Sequence, residues 1–393
     1  MSICSAVCSA LFLVLLVFST HDVLCDELPD IQSDSTEALL SILKNFNGKR
    51  NHITGADGKK DARNYITKSF KEYGLQVWSE REMIGGSLLN ENIIGMIRST
   101  RTGTADDKIV VVGAHYDTAK NTNGVDDNGS GVTALLEVAK IIGKARCQVK
   151  NTIFFVAFDF EERTKECNIT DWTFGFDCGS ISFVRNMTSY LKKTGGTMAG
   201  AIVLETMLNH NSSAGSQSLP FGFEYLLPKA YNEVKNDEFR GNFLVVIGRR
   251  ESDKKLLSLI PKYFSNDSDY RVQPVICPIN GRPSLTLNYR HYSDLYRSDH
   301  FAFWESKASY SALMLGDTAN FRGYMQYCYH RECDDLSHVK EDDLQFLQRS
   351  INAVIKTVLD LSEVVSCNDQ NHGMEISFNL LLMLVSLCGM FAM

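Results

Sequence analysis

The sequence lacks a basic excess. Its 40 Lys and Arg against 47 Asp and Glu leave a net charge of -7 and a pI of about 5.8. That argues against nucleic acid, because binding phosphates needs a basic face. It lacks internal repeats, low-complexity segments and, between residues 37 and 365, any stretch that reads as a linker between domains. A repeat array is therefore excluded, and one large domain is indicated, for which 393 residues and a hydrophobic fraction of 44% are ample. It also lacks an apolar run of spanning length. The candidates lie at the two ends, and neither reaches the ~20 residues that a membrane-spanning helix requires.

Those ends are informative. MSICSAVCSALFLVLLVFSTHDVLC has an apolar run of about a dozen residues, then polar residues and Cys25. This is the shape of a secretory signal peptide cleaved after Cys25, although its first residues include no Lys or Arg. The other end, SCNDQNHGMEISFNLLLMLVSLCGMFAM, closes on about 16 apolar residues with no basic stop after them. Small residues, a polar spacer and a terminal apolar tail fit a GPI-attachment signal, with Ser366, Asn368 and Asn371 as candidate attachment residues. The expected organisation is a signal peptide over 1–25, a single domain over 26–365 and a GPI-attachment signal over 366–393. The expected route is the secretory pathway to the cell surface, with the membrane met only through a C-terminal lipid anchor.

Export agrees with the sequons. Asn168, Asn186, Asn211 and Asn266 each begin an Asn-x-Ser/Thr triplet and are candidate glycan sites. Outside the end segments the cysteines are Cys147, Cys167, Cys178, Cys277, Cys328, Cys333 and Cys367. In an oxidising compartment these read as disulfides rather than metal thiolates. Proximity pairs Cys167 with Cys178 and Cys328 with Cys333, although sequence does not fix connectivity.

Along the chain, STEALLSILKNF has apolar residues at helical spacing behind a Ser/Thr cap, and DARNYITKSFKEYG is a second helix ending on Gly74. An alternation follows: strand NENIIGMI, strand KIVVVGAH, helix SGVTALLEVAKIIGKA, strand NTIFFVAFDF, helix CGSISFVRNMTSYLKK and strand AGAIVLETM. NFLVVIGR, YRVQPVICP and YSALMLGD are later strands, and EDDLQFLQRSINAVIKTVLDLSEVV is the last helix. Continuously apolar strands between helices mean a sheet covered on both faces. The expected fold is a three-layer α/β/α arrangement around a mostly parallel mixed sheet.

In such sheets ligands bind at the carboxyl ends of the strands. The polar residues fall there: His115 and Asp117 after one strand, Glu161 and Glu162 after the next, Glu205 ending a third, and His330 in the loop after YSALMLGD. His115, Asp127, Glu162, Glu205 and His330 are all nitrogen or oxygen ligands that zinc accepts. Two histidines and three carboxylates can hold two Zn²⁺ ions if one carboxylate bridges them. Each signal alone is commonplace, and the weight lies in their conjunction at successive strand ends.

The order HYD, GVDDNGSG opening a helix, FFVAFDFEE, LETM and YH resembles the di-zinc exopeptidase family, and the match runs from about residue 37 to residue 365. That family holds leucine-type aminopeptidases, glutamate carboxypeptidase and the diverged glutaminyl cyclases. The resemblance implies that His115 binds one zinc and Asp117 orients its imidazole. Asp127, the second aspartate of GVDDNGSG rather than its neighbour Asp126, would bridge the ions. Glu161 would be the general base, with Glu162 and His330 completing the second metal and Tyr329 donating to the oxyanion. Where many members have an aspartate, this chain has Glu205, one methylene longer; members with an LEM-type strand end also carry glutamate there.

The implied function is zinc-dependent exopeptidase action on peptide substrates through a water shared by the two ions, aminopeptidase before carboxypeptidase. The alternatives are a single-zinc glutaminyl-peptide cyclase-like acyltransferase and a non-catalytic receptor-like ectodomain. Arg249, Arg250, Arg290 and Arg297 are the basic residues from which a carboxypeptidase grip would have to come. RSDHFAFWE resembles a substrate-pocket segment, and Asp299 and His300 within it receive no ligand role. Asn128 also begins a sequon, but it abuts the implied bridging ligand, so it is expected to carry no glycan.

Overall fold

The computed structural model describes residues 28–84, 88–162, 179–267, 269–287 and 289–368. The signal-peptide segment, Asn168, Asn371, the Cys167 and Cys178 pairing and the apolar C-terminal tail lie outside the described residues. No helix among the described residues is long and apolar enough to cross a membrane.

An eight-stranded sheet organises the molecule. Its strands are β1 (Gln76–Ile84), β2 (Leu88–Ile97), β3 (Lys108–His115), β5 (Ile153–Phe158), β6 (Thr197–Glu205), β7 (Phe243–Arg249), β8 (Arg271–Cys277) and β9 (Ala312–Gly316), in the order β1-β2-β5-β3-β6-β9-β7-β8. The central four, β5-β3-β6-β9, are parallel. β1, β2 and β5 pair antiparallel, and β9 meets β7 antiparallel. The registers His115 with Phe158 and Glu205 with Gly316 bring the carboxyl ends of the parallel block to one edge.

Both faces are covered, which is why these strands are apolar throughout. Alternation within β3 sends Val110, Val112 and Ala114 to one core and Ile109 and Val111 to the other. The first core packs under α1 (Thr36–Leu43), α2 (Ala56–Glu72), α3 (Gly131–Lys144), α6 (Lys254–Tyr263) and α8 (Glu341–Leu361). The second packs under α4 (Gly179–Thr194), α5 (Pro228–Asn236) and α7 (His300–Glu305). This is the expected three-layer arrangement.

Local signals act as read. Ser35 caps α1 by accepting from the amide of Ala38. Gly74 follows α2 at φ +85°, where its missing Cβ removes the penalty of a left-handed residue. Helices α5, α6 and α7 were not anticipated, and three further elements differ from the expectation. α2 starts at Ala56, five residues before the predicted DARNYITKSFKEYG. β1 is an additional strand, unread because QVWSEREMI lies at the sheet edge and buries no residue fully. The last helix stops at Leu361. Glu363 then turns at φ +50°, and Val364–Ser366 forms β10 against β4 (Gln148–Val149). A disulfide between Cys147 and Cys367 holds that ribbon. Cys328 and Cys333 are bonded, as proximity predicted, and Cys277 is a buried free thiol.

Candidate metal centre

Asp127 sits where two histidines converge. His115 Nε2, at the end of β3, is 3.4 Å from Asp127 Oδ1 and 3.3 Å from Glu205 Oε2, at the end of β6. His330 Nε2 is 3.2 Å from Asp127 Oδ2 and 3.4 Å from Glu162 Oε1. Two sets result, His115 with Asp127 and Glu205, and Asp127 with Glu162 and His330, each with its donor atoms within 4.8 Å of one another. Asp127 belongs to both. The five residues proposed from sequence are thus brought to one place by three strand ends and two loops.

The loop after β3 explains how. Val125–Ser130 is a tight turn leading into α3, entered through Gly124 at φ +68°. A Cβ on Gly124 would stand 2.4 Å from Thr118 Cγ2 and 2.6 Å from the Asp127 carbonyl, so only glycine fits. Asn128 Oδ1 accepts from the amides of Gly131 and Thr206, and its amide nitrogen donates to the Leu204 carbonyl. The side chain thereby ties the start of α3 to the end of β6. It is buried and fully engaged, which leaves no room for a glycan. Of the other candidate glycan residues described, Asn186 and Asn266 are exposed and Asn211 is half-buried.

Asp117 has more work than orienting His115. Its Oδ1 lies 3.4 Å from His115 Nδ1, and its two oxygens accept from the amides of Glu161 and Glu162, each at 3.2 Å. One carboxylate therefore fixes the imidazole and the backbone of the Glu-Glu pair together. Glu162 joins the second set, whereas Glu161 Oε2 stands 4.0 Å from His115 Nε2 and outside both. Glu205, despite its extra methylene, is held by Ser298 Oγ, which donates to its Oε2 at 2.7 Å.

Residues without a sequence signal surround the centre. Asp334, in the loop that follows His330, accepts from the amides of Asp126 and Asp127. Asp126 turns away from the centre and accepts from Ser130 Oγ and the Leu208 amide. Arg50 is buried and donates to the carbonyls of Phe46, Gly48, Tyr116, Asn123 and Gly124, clamping the loop from behind. An acid directly after Cys333 and a serine directly before Asp299 were the only hints of Asp334 and Ser298. His300 lies apart from both sets; its Nε2 donates to the Leu295 carbonyl, and burial pushes its pKa down to about 4.

The electrostatics are those of a cluster that awaits a cation. Burial and then the carboxylates of Glu205, Glu162 and Asp299 push Glu161 well above the ordinary carboxylate range. Burial and Asp127 do the same to Glu162. His115 is raised well above its usual value: burial opposes its charge, but Glu205 and Glu161 outweigh it. Asp127 Oδ2 and Glu162 Oε1 are buried with no hydrogen-bond partner. Buried carboxylate oxygens without donors are costly, and a metal ion at each set would satisfy them. The imidazole and carboxylate donor sets suit zinc.

Tyr329 stacks on His330 with ring centroids 3.8 Å apart. Its hydroxyl accepts from Arg297 Nη2 at 2.9 Å, and no acceptor for its own proton is found among the described residues. That proton is free to point at a ligand. Cys328 and Cys333 bracket Tyr329 and His330, holding both in a short disulfide-closed loop. A pocket of about 770 Å³, its open mouth included, adjoins Glu205, Arg297 and Tyr329 and is walled by Phe243, Val245 and Met314.

Comparison with known proteins agrees with this geometry. Residues 92–218 match peptidase family M28. The Escherichia coli uncharacterized protein YfbL is 26% identical over 286 residues, 70% of this chain and 74% of that one. The Bacillus subtilis aminopeptidase YwaD is 30% identical over 129 residues, which is 33% of this chain but only 26% of YwaD. The Legionella pneumophila LapA aminopeptidase superposes with a TM-score of 0.56 at 15% identity, covering 86% of this chain and 78% of that one. At such identity the likeness speaks for the fold, which solved glutaminyl cyclases share.

Proposed function

We propose that the chain, similar to peptidase family M28 over residues 92–218, is a zinc exopeptidase, and specifically a two-zinc aminopeptidase that removes N-terminal residues from peptides. The observation that carries the reading is Asp127, which offers one oxygen to each of two otherwise separate ligand sets. His115 and Glu205 would hold one ion, Glu162 and His330 the other, with Asp127 between them. When bound, the ions would polarise a water and the scissile carbonyl.

The chain's own groups perform the rest. Glu161 takes the proton from the attacking water as the new C–O bond forms, then passes it to the amine as the C–N bond breaks. Its position outside both sets suits a base rather than a ligand, and the carboxylates around it favour a carboxyl group able to keep a proton between the two steps. Tyr329 donates its hydroxyl proton as a hydrogen bond to the developing oxyanion. Asp117 keeps His115 and the Glu161–Glu162 backbone in register throughout.

A single-zinc cyclase reading loses ground because both ligand sets are complete, and a non-catalytic ectodomain would not need Glu161. Zinc stoichiometry and activity test the proposal together. Two zincs per chain are expected, with hydrolysis of aminoacyl chromogenic substrates abolished by chelation and restored by zinc. Glu161→Gln should lower kcat by about 10²–10⁴ with zinc content unchanged. One zinc with cyclisation of N-terminal glutamine, or an inert two-zinc protein on free and N-blocked substrates, would overturn it.

The secreted, GPI-anchored location forms part of the same proposal. Attachment at Ser366 would remove Cys367 and with it the bond to Cys147, so Asn368 and Asn371 are the better candidates.

A further inference from the structure

The buried arginines of this protein show what a structural guanidinium looks like here. Arg50 is saturated by five carbonyls. Arg249 is fully buried, pairs with both oxygens of Asp253 and donates further to Gly281, Ser309 and Tyr310. Arg297 is different. Its Nη1 donates to Asn320 Oδ1 and its Nη2 to Tyr329 Oη, both neutral, and no carboxylate lies within 4.0 Å among the described residues. The guanidinium is half-buried, with its carbon 5.3 Å from the Tyr329 ring centroid and 5.9 Å from that of Phe321. Asp294, exposed on the same rim, and Asp127 favour its charge from a distance, but neither forms an ion pair with it. Two bonds thus hold a planar fork at the wall of a largely apolar pocket, with N–H groups left over.

A guanidinium held in place without an ion-pair partner in contact keeps N–H groups to offer an incoming anion. The guanidinium fork matches a carboxylate better than any other common group. Its place is next to Glu205 and Tyr329, at the wall of a pocket that reaches the first ligand set through Glu205. We propose that Arg297 is a specificity-determining residue that binds a substrate carboxylate. Substrates are then short peptides that place an apolar side chain in the pocket and a carboxylate, from the C-terminus or an acidic side chain, on the guanidinium. The inference rests on the peptidase reading of the site. It narrows it to short or acidic peptides rather than long chains cut without regard to charge.

The zinc-loaded full chain provides the test, in two arms. In the binding arm, calorimetry compares N-acetylphenylalanine with N-acetylphenylalaninamide, neither of which offers an amine. In the kinetic arm, dipeptides with free and amidated C-termini are compared, and Glu with Gln side chains, to separate the two sources of carboxylate. The wild type should favour the carboxylate form by about tenfold or more in Kd or KM, as charged hydrogen bonds do. Arg297→Met should bring that ratio to near one, and Arg297→Lys should keep part of it. The inference fails if the wild type shows no preference, or if Arg297→Met retains it, in which case the metals read the carboxylate. It also fails if the variant lowers kcat equally on all substrates with the binding ratio intact, which would make Arg297 a positioning residue for Tyr329. Binding preference without hydrolysis would overturn the peptidase reading while upholding this one.

Discussion

Asp334 lies 2.8 Å from the amide nitrogen of Asp126 and 3.0 Å from that of Asp127. It touches no other group in either ligand set, yet it fixes the backbone that aims the shared carboxylate. Burial first, and then the neighbouring Asp127, raise its own pKa to about 7, while the two amides oppose the rise. Removing it leaves two buried N–H groups without acceptors, a loss of about 1–3 kcal/mol for each. Asp334→Ala should therefore lower both stability and zinc affinity, measured by thermal unfolding and by competition with a chromogenic chelator. Asp334→Asn, which keeps one acceptor, should fall between. Wild-type zinc affinity in Asp334→Ala would remove Asp334 from the site. The same scale accounts for Glu205. A glutamate reaches where an aspartate is common because Ser298 Oγ holds its longer side chain in place.

Among the strands of the main sheet, β1 is the one that the sequence did not disclose. It carries Glu80, whose Oε2 is buried without a hydrogen-bond partner behind Trp78 and Phe154. Burial, followed by repulsion from Glu82, pushes the Glu80 pKa up to about 7. A folded carboxyl that keeps its proton longer than the unfolded one stabilises the fold at low pH, and that stability is lost as pH rises between the two pKa values. Between about pH 4.5 and pH 7, Glu80 should therefore make the protein less stable with rising pH. Glu80→Gln should flatten this slope and raise Tm at about pH 8, a difference read by calorimetry against the wild type at matched pH. An unchanged slope would mean that Glu80 ionises normally. By contrast, β3, β5, β6 and β9 were legible, because strands covered on both faces must be apolar along their whole length, whereas an edge strand need not be.

At the scale of the molecule, the most remote covalent link among the described residues is Cys147 to Cys367, 220 residues apart in sequence. It ties the end of the described chain to the segment between α3 and β5, at the sheet edge opposite the metal centre. Closing so long a loop restricts the unfolded chain strongly, and loss of a native disulfide typically costs 2–5 kcal/mol. The Cys147→Ser, Cys367→Ser double variant should lose stability of about that size in denaturant titrations, while zinc content and kcat stay near wild type because the link lies far from the centre. If zinc were lost instead, the two edges of the sheet would be coupled in a way their separation does not suggest.

The sequence by itself determined the layered architecture, the edge of the sheet that carries the chemistry and the residues that meet there. These follow from local rules: apolar runs of strand length, helical spacing, turn residues, and ligands at successive strand ends. Only the tertiary structure decided that Asp127 has one oxygen toward each histidine and that Asp117 serves His115 and the Glu161–Glu162 backbone at once. It alone paired Cys147 with Cys367 and set Arg297 beside the pocket without an ion-pair partner in contact. Asp334 lies 207 residues from Asp127 in the chain, and Ser298 lies 93 from Glu205. Contacts at such separations leave no periodicity to read, because they are made by the packing of whole layers rather than by the propensity of any one segment.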